Sequence, residues 1–280
     1  MRIIDEENLI VGECPIWDDR KKLLYTVDTR GKKVRSTDLR TLEHTETVYD
    51  QEVGCLFLRE NGGLLAGMQD GVYEIFADGS KKLFAAPEHM KGRRFNDGKV
   101  GPDGRIYIGS KSEDHEAAFY RIDTDGTVTE LFEHVGCSNG IDWSPDGRTM
   151  YYIDSPDRVL EAFDFAAEKG TLTNRRVVMP VNCEKGEYDG MTADSEGMLW
   201  IAVWGAWRAY RIDPREKTVL GQLDLPVEKV SCCAFAGDKL DTLIVTSAAF
   251  ETDLSRQSHA GSTFAFDCAV PGRPVFRFKG

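Results

Sequence analysis

Glu13 in "GECPIW", Asn96 in "RFNDGK", Asn139 in "SNGIDWS" and Asp189 in "YDGM" carry the side-chain oxygens best placed to do chemistry together. Each stands 10 or 11 residues before an apolar run, beginning at Leu24, Ile106, Met150 and Leu199 respectively. Carboxylates and amide oxygens gathered at one point repel or go unsatisfied on their own, because burying like charges together is costly. A divalent cation relieves both problems. Glu13 and Asp189 supply the two negative charges that neutralise it, while Asn96 and Asn139 add carbonyl oxygens. An all-oxygen set favours Ca²⁺, Mg²⁺ or Mn²⁺, with Zn²⁺ and Fe²⁺ also within its range. Taken singly, Asn-Gly and Asp-Gly pairs read as turn formers. The functional reading therefore rests on their shared register, which turn chemistry does not require of Glu13.

The elements that must position these residues follow from a repeat. Short apolar runs begin at Leu24, Leu64, Ile106, Met150, Leu199 and Leu243, at intervals of 40, 42, 44, 49 and 44 residues. Within a unit, alternation and turn residues give four strands in order, as in "GIDWS", "MYYID", "LEAFDF" and "RRVVM". Sustained helical periodicity is absent. The period and strand count predict an all-β chain, a single six-bladed β-propeller domain over residues 1–280 with four-stranded antiparallel blades. The first strand of each blade lines the channel of such a fold, so residues distant in sequence meet there. The two remaining blades place Val53 and Cys232 at the equivalent position. Ring closure is expected from "RIIDEENL" pairing beside "TFAFD", or else from "VFRF" at 275–278.

Composition narrows the function classes. A formal charge of −12, from 35 basic and 47 acidic residues, argues against a nucleic-acid partner, which needs clustered Lys and Arg. The N-terminal "MRIIDEENLIVGE" has no sustained apolar stretch, so neither a signal peptide nor a membrane span is expected, and the cytoplasm is the expected location. The seven cysteines form no C-x-x-C pair and the five histidines lack metal spacing, which reads as buried reduced thiols and no histidine-based zinc site.

"GECPIW", "RRFNDGKVGPDGR", "SNGIDWSPDG", "YYIDS", "YDGM" and "LWIAVWG" together span nearly the whole chain. Through them the sequence resembles the senescence marker protein 30 (regucalcin) and gluconolactonase family. That resemblance implies a six-bladed propeller that hydrolyses a sugar lactone with one divalent metal ion. It places the metal on Glu13, Asn139 and Asp189, and substrate contacts on Arg94 and Asn96, so that Asn96 moves from ligand to substrate contact. Asp189 gains a second role as general base or as the group that positions water. The implied partner is a small sugar lactone, with the protein a monomer or weak homodimer. Two alternatives stand beside this: a metal-binding regulatory or scaffold propeller without turnover, and a related propeller esterase.

The sequence departs from the family pattern at "GSK", where Lys111 brings a charge near the expected site. Lys111 either turns to solvent or grips a carboxylate or hydroxyl of the ligand. The following "SEDHE" reads as a rim loop, with Asp114 or Glu113 as sugar contacts. Trp204 and Trp207 read as a wall against a sugar face or as packing. Asp154 either reaches the site or makes a structural hydrogen bond. Cys14, beside Glu13, carries no functional assignment.

Overall fold

The computed structural model describes residues 1–280. The repeat becomes six four-stranded antiparallel sheets, five of them built from consecutive strands. The inner strands are Gly12–Asp18, Val53–Leu58, Arg94–Val100, Ser138–Trp143, Glu187–Ala193 and Val230–Ala236. Each touches the next, and the last returns to the first, which makes a six-bladed propeller. No helix is long and apolar enough to cross a membrane.

The second strands are apolar along their length because each is covered on both faces by neighbouring blades; Met150–Asp154 is buried throughout. Outer strands such as Thr218–Asp224 meet water and are polar accordingly. Between blades three and four the packing is aromatic, with Tyr107, Trp143 and Phe165 meeting edge to face at centroid distances of 5.5 to 5.8 Å. The seven cysteines are unpaired.

Closure of the ring follows the first of the two expected routes. Arg2–Asp5 pairs antiparallel with Thr263–Asp267, Ile3 opposite Phe264, so blade six is completed by the N-terminus. The fully buried Arg35 of blade one ties this strand down through ion pairs with Asp5 at 3.0 Å, Glu46 at 3.1 Å, and Glu7. "VFRF" is not an outer strand. Phe278 makes a single bridge to Arg59 of blade two, and the preceding residues cross one end of the channel as a strap. Arg273 donates to Asp142 at 3.1 Å and to the Trp143 carbonyl at 2.6 Å, while Arg277 donates to Asp18 at 2.7 Å.

Candidate active site

Every inner strand breaks register near its start. The shifts fall between Glu13 and Ile16, Val53 and Cys55, Phe95 and Gly98, Asn139 and Ile141, Tyr188 and Met191, and Val230 and Cys232. A bulge adds an unpaired residue and re-aims the side chains around it. The Asn-Gly and Asp-Gly pairs therefore sit inside strands, not in turns, and neither Gly140 nor Gly190 has a positive φ. Their role is close approach. A Cβ on Gly140 would stand 2.6 Å from the Asp189 carbonyl oxygen, and one on Gly190 would stand 2.2 Å from Cys232 Sγ. In blade one the corresponding bulge residue is Cys14, at φ 46°, whose Sγ accepts the Leu56 N–H at 3.1 Å and stitches blade one to blade two.

A string of hydrogen bonds then orients the amides. Glu52 pairs with Arg94 Nε at 2.8 Å, and Arg94 Nη1 donates to Asn96 Oδ1 at 2.7 Å. Asn96 Nδ2 donates to Asn139 Oδ1 at 3.1 Å and to the Ser138 carbonyl at 2.7 Å. Asn139 Nδ2 donates to Ser155 Oγ at 2.8 Å, and that hydroxyl donates to the Tyr188 carbonyl at 2.8 Å, one residue before Asp189. The Asn139 oxygen accepts from the neutral Asn96 amide, whereas the Asn96 oxygen accepts from the Arg94 guanidinium, a cation that would repel a metal ion there. This arrangement suits Asn139 as a ligand and Asn96 as a positioning donor. Asp154 takes the structural of its two readings, accepting the Gly136 and Cys137 N–H groups at 2.8 and 2.7 Å.

The electrostatics are those of an unneutralised cluster. Burial, then repulsion from Asp97, pushes Glu13 up to about 8. Asp189 is raised well above the usual carboxylate range by burial and then by Glu13 and Asp97. Burial pushes Asp97 up to about 6 even though Lys99 opposes it. One oxygen of Asp189, Oδ1, is buried without a hydrogen-bond partner. A hard cation fits this donor set, because it supplies both the missing partner and the missing positive charge. Lys111 is half-buried and its charge acts on Glu13 and on Asp189, so it faces the cluster.

Other expected contacts lie farther out. Asp114 is exposed on the rim loop, and its neighbour Glu113 pairs with Arg93 at 3.0 Å. Trp207 is 40% exposed, and Trp204 is half-buried with Lys229 Nζ 5.9 Å from its ring centre. Asp97 was absent from the sequence-derived set; its place in "NDG" reads as a turn, and the bulge turns it into the channel. Deeper still, Lys99 Nζ bonds Asp142 at 2.8 Å and the Met191 carbonyl at 3.0 Å. These groups line a channel cavity of about 400 Å³ between the Glu13 layer and the C-terminal strap.

Residues 11–249 match the family described as SMP-30/Gluconolactonase/LRE-like region. The chain is 37% identical to regucalcin of Danio rerio over 290 residues, covering 99% of this chain and 97% of that protein. It is 32% identical to a Bacillus subtilis protein named as a candidate sugar lactone lactonase, YvrE, covering 97% of this chain and 96% of that one. Among solved structures, a calcium-binding protein, regucalcin, from Agrobacterium tumefaciens superposes with a TM-score of 0.93 at 27% identity, covering 100% of this chain and 97% of that one.

Proposed function

Because the chain belongs to the SMP-30/gluconolactonase/LRE-like family, we propose that it hydrolyses a sugar lactone to the corresponding sugar acid, with a divalent cation held by Glu13, Asn139 and Asp189. The observation that carries this reading is the buried, partnerless Asp189 oxygen beside a second carboxylate whose charge nothing nearby fully offsets. When bound, the cation supplies Lewis-acid polarisation of the lactone carbonyl and charge balance for the two carboxylates.

The remaining work falls to the protein's own side chains. Asp189 is tethered through the backbone of Tyr188 to Ser155, which fixes where its carboxylate points. From there it orients the attacking water and accepts a proton as water adds to the carbonyl carbon. The ring C–O bond then breaks, and the proton goes to the leaving alkoxide, giving the open-chain hydroxy acid. Arg94 is anchored by Glu52 through Nε and by Asn96 through Nη1, so its remaining nitrogen, Nη2, presents preformed donors to the carbonyl or ring hydroxyls. Asn96, whose two amide hydrogens are held by Ser138 and Asn139, keeps that guanidinium in place. Lys111 reaches the same space and contacts a hydroxyl or carboxylate of the substrate.

Acid release from a panel of aldonolactones in a pH-stat, with and without chelator, tests the reading. Metal-dependent release is expected, and Asp189→Asn is expected to lower kcat by roughly 10²–10⁴-fold with the fold intact. Tight metal binding without turnover of any lactone would replace this reading with a regulatory or scaffold propeller.

A further inference from the structure

Outside the channel, His115, Asp154 and Asp157 converge where the rim loop of blade three meets the Ser155–Asp157 turn of blade four, with one ligand atom from each within 4.8 Å of the other two. The sequence gives no warning of this, since His115 lies 39 residues before Asp154.

The seat is built. The His115 ring lies against Gly136, where a Cβ would stand 2.8 Å from Cε1 and 3.0 Å from Nδ1, so a side chain at that position would displace the imidazole. Asp154 is 1% exposed and held by the Gly136 and Cys137 N–H groups, so its carboxylate is fixed rather than free to swing. Asp157 is exposed at the end of the short turn and His115 is exposed on the loop, which leaves a route from solvent. Ligands bonded at about 2.0–2.2 Å to one tetrahedral ion lie ~3.3–3.6 Å apart. The three ligand atoms already lie within 4.8 Å of one another, and rotation of the exposed His115 and Asp157 side chains closes the remaining distance.

We propose that His115, Asp154 and Asp157 form a second divalent-metal site, distinct from the oxygen-lined one in the channel. One imidazole and two carboxylates select borderline transition ions such as Zn²⁺, Co²⁺ or Ni²⁺ rather than Ca²⁺. The bound ion pins the 112–116 loop, and with it Asp114, onto blade four at the mouth of the channel. It also reaches the channel site through the chain itself, since Asp154 precedes Ser155, the anchor of Asn139.

Zinc titration of the metal-stripped full-length protein by calorimetry tests this, with Co²⁺ absorption as a spectroscopic check on the ligand set. Wild type is expected to bind two equivalents. His115→Ala and Asp157→Asn each lose one or weaken it at least tenfold, while Asp189→Asn weakens the other and leaves this one in place. Limited proteolysis within 112–116 slows on adding zinc to wild type and not to His115→Ala. Both rim substitutions are at exposed positions, so thermal melts of the metal-free variants should match wild type. A zinc stoichiometry and affinity unchanged by both His115→Ala and Asp157→Asn overturns the proposal, whether or not the channel site binds zinc or proves to be a lactonase.

Discussion

Glu13→Gln should change the stability of this protein in opposite directions with and without metal. Glu13 is pushed up to about 8 from an ordinary 4.5 in the metal-free molecule, by burial first and Asp97 second. A carboxyl whose folded value is raised costs nothing while both states are protonated. The cost grows as pH rises past 4.5 and is complete above about 8. A rise of about 3.5 units corresponds to about 5 kcal/mol at 1.36 kcal/mol per unit. Glu13 is half-buried and not sealed from solvent, and water relaxes the penalty, so roughly half of that, ~2–3 kcal/mol, is the expected size. Glutamine keeps the shape and an oxygen for the Cys14 N–H, now 3.2 Å from Glu13 Oε2, and removes the charge. In chelator at pH 8.5 the variant should melt about 3–5 °C above wild type, and at pH 4 the two should coincide. With Ca²⁺ or Mn²⁺ at about 1,000 times the wild-type Kd, wild type gains about 4.1 kcal/mol that the variant largely lacks, more than the ~2–3 kcal/mol penalty, and the order reverses. Scanning calorimetry at one fixed scan rate reads both arms. A variant less stable than wild type in chelator at pH 8.5 would refute the idea that Glu13 is an uncompensated charge awaiting a cation.

Lys111→Met should lower kcat/KM for lactones that carry an additional carboxylate by about 10–100-fold, the worth of one charge-assisted hydrogen bond, while neutral lactones change little. Equal losses on both substrate classes, read from parallel kinetics, would assign Lys111 to holding the site together instead. Arg35→Met strands Asp5 without its buried partner and should cost about 3–5 kcal/mol in urea unfolding. A loss under about 1 kcal/mol would mean that ring closure does not depend on this ion pair.

Much of the fold was legible because a propeller buries its strands between blades, and that burial writes an apolar run into each repeat. The N-terminal closure was one of the two routes the sequence offered, since "RII" supplies a short apolar run able to pair beside "TFAFD". The sequence left "VFRF" as the alternative closing strand and did not show the strap, because what fixes it are Arg273 and Arg277, whose partners Asp142 and Asp18 belong to blades far away in sequence. Within the candidate site, register alone grouped Glu13, Asn96, Asn139 and Asp189, and the family resemblance added Arg94 and Lys111; the hydrogen bonds from Arg94 to Asn96 and from Asn96 to Asn139 join three of these six. Asp97 could not be found this way, since a period of two says nothing about a bulge, and the bulge decides which way residue 97 points.

The same bulges explain why the site residues share a register at all. Inner strands that converge on one axis are most crowded where they break register, and the residue after Asn139 or Asp189 meets a neighbouring strand within 2.6 Å of any Cβ it might carry. Glycine is what that space admits. Cys14 has a side chain at the equivalent place in blade one and escapes by a left-handed backbone, its sulfur bonded to Leu56 of the next blade. The Asn-Gly and Asp-Gly pairs are therefore not turns that happen to recur. Crowding at the axis selects the glycine, and the bulge that relieves it aims the preceding oxygen inward, so ligand and glycine are two consequences of one constraint.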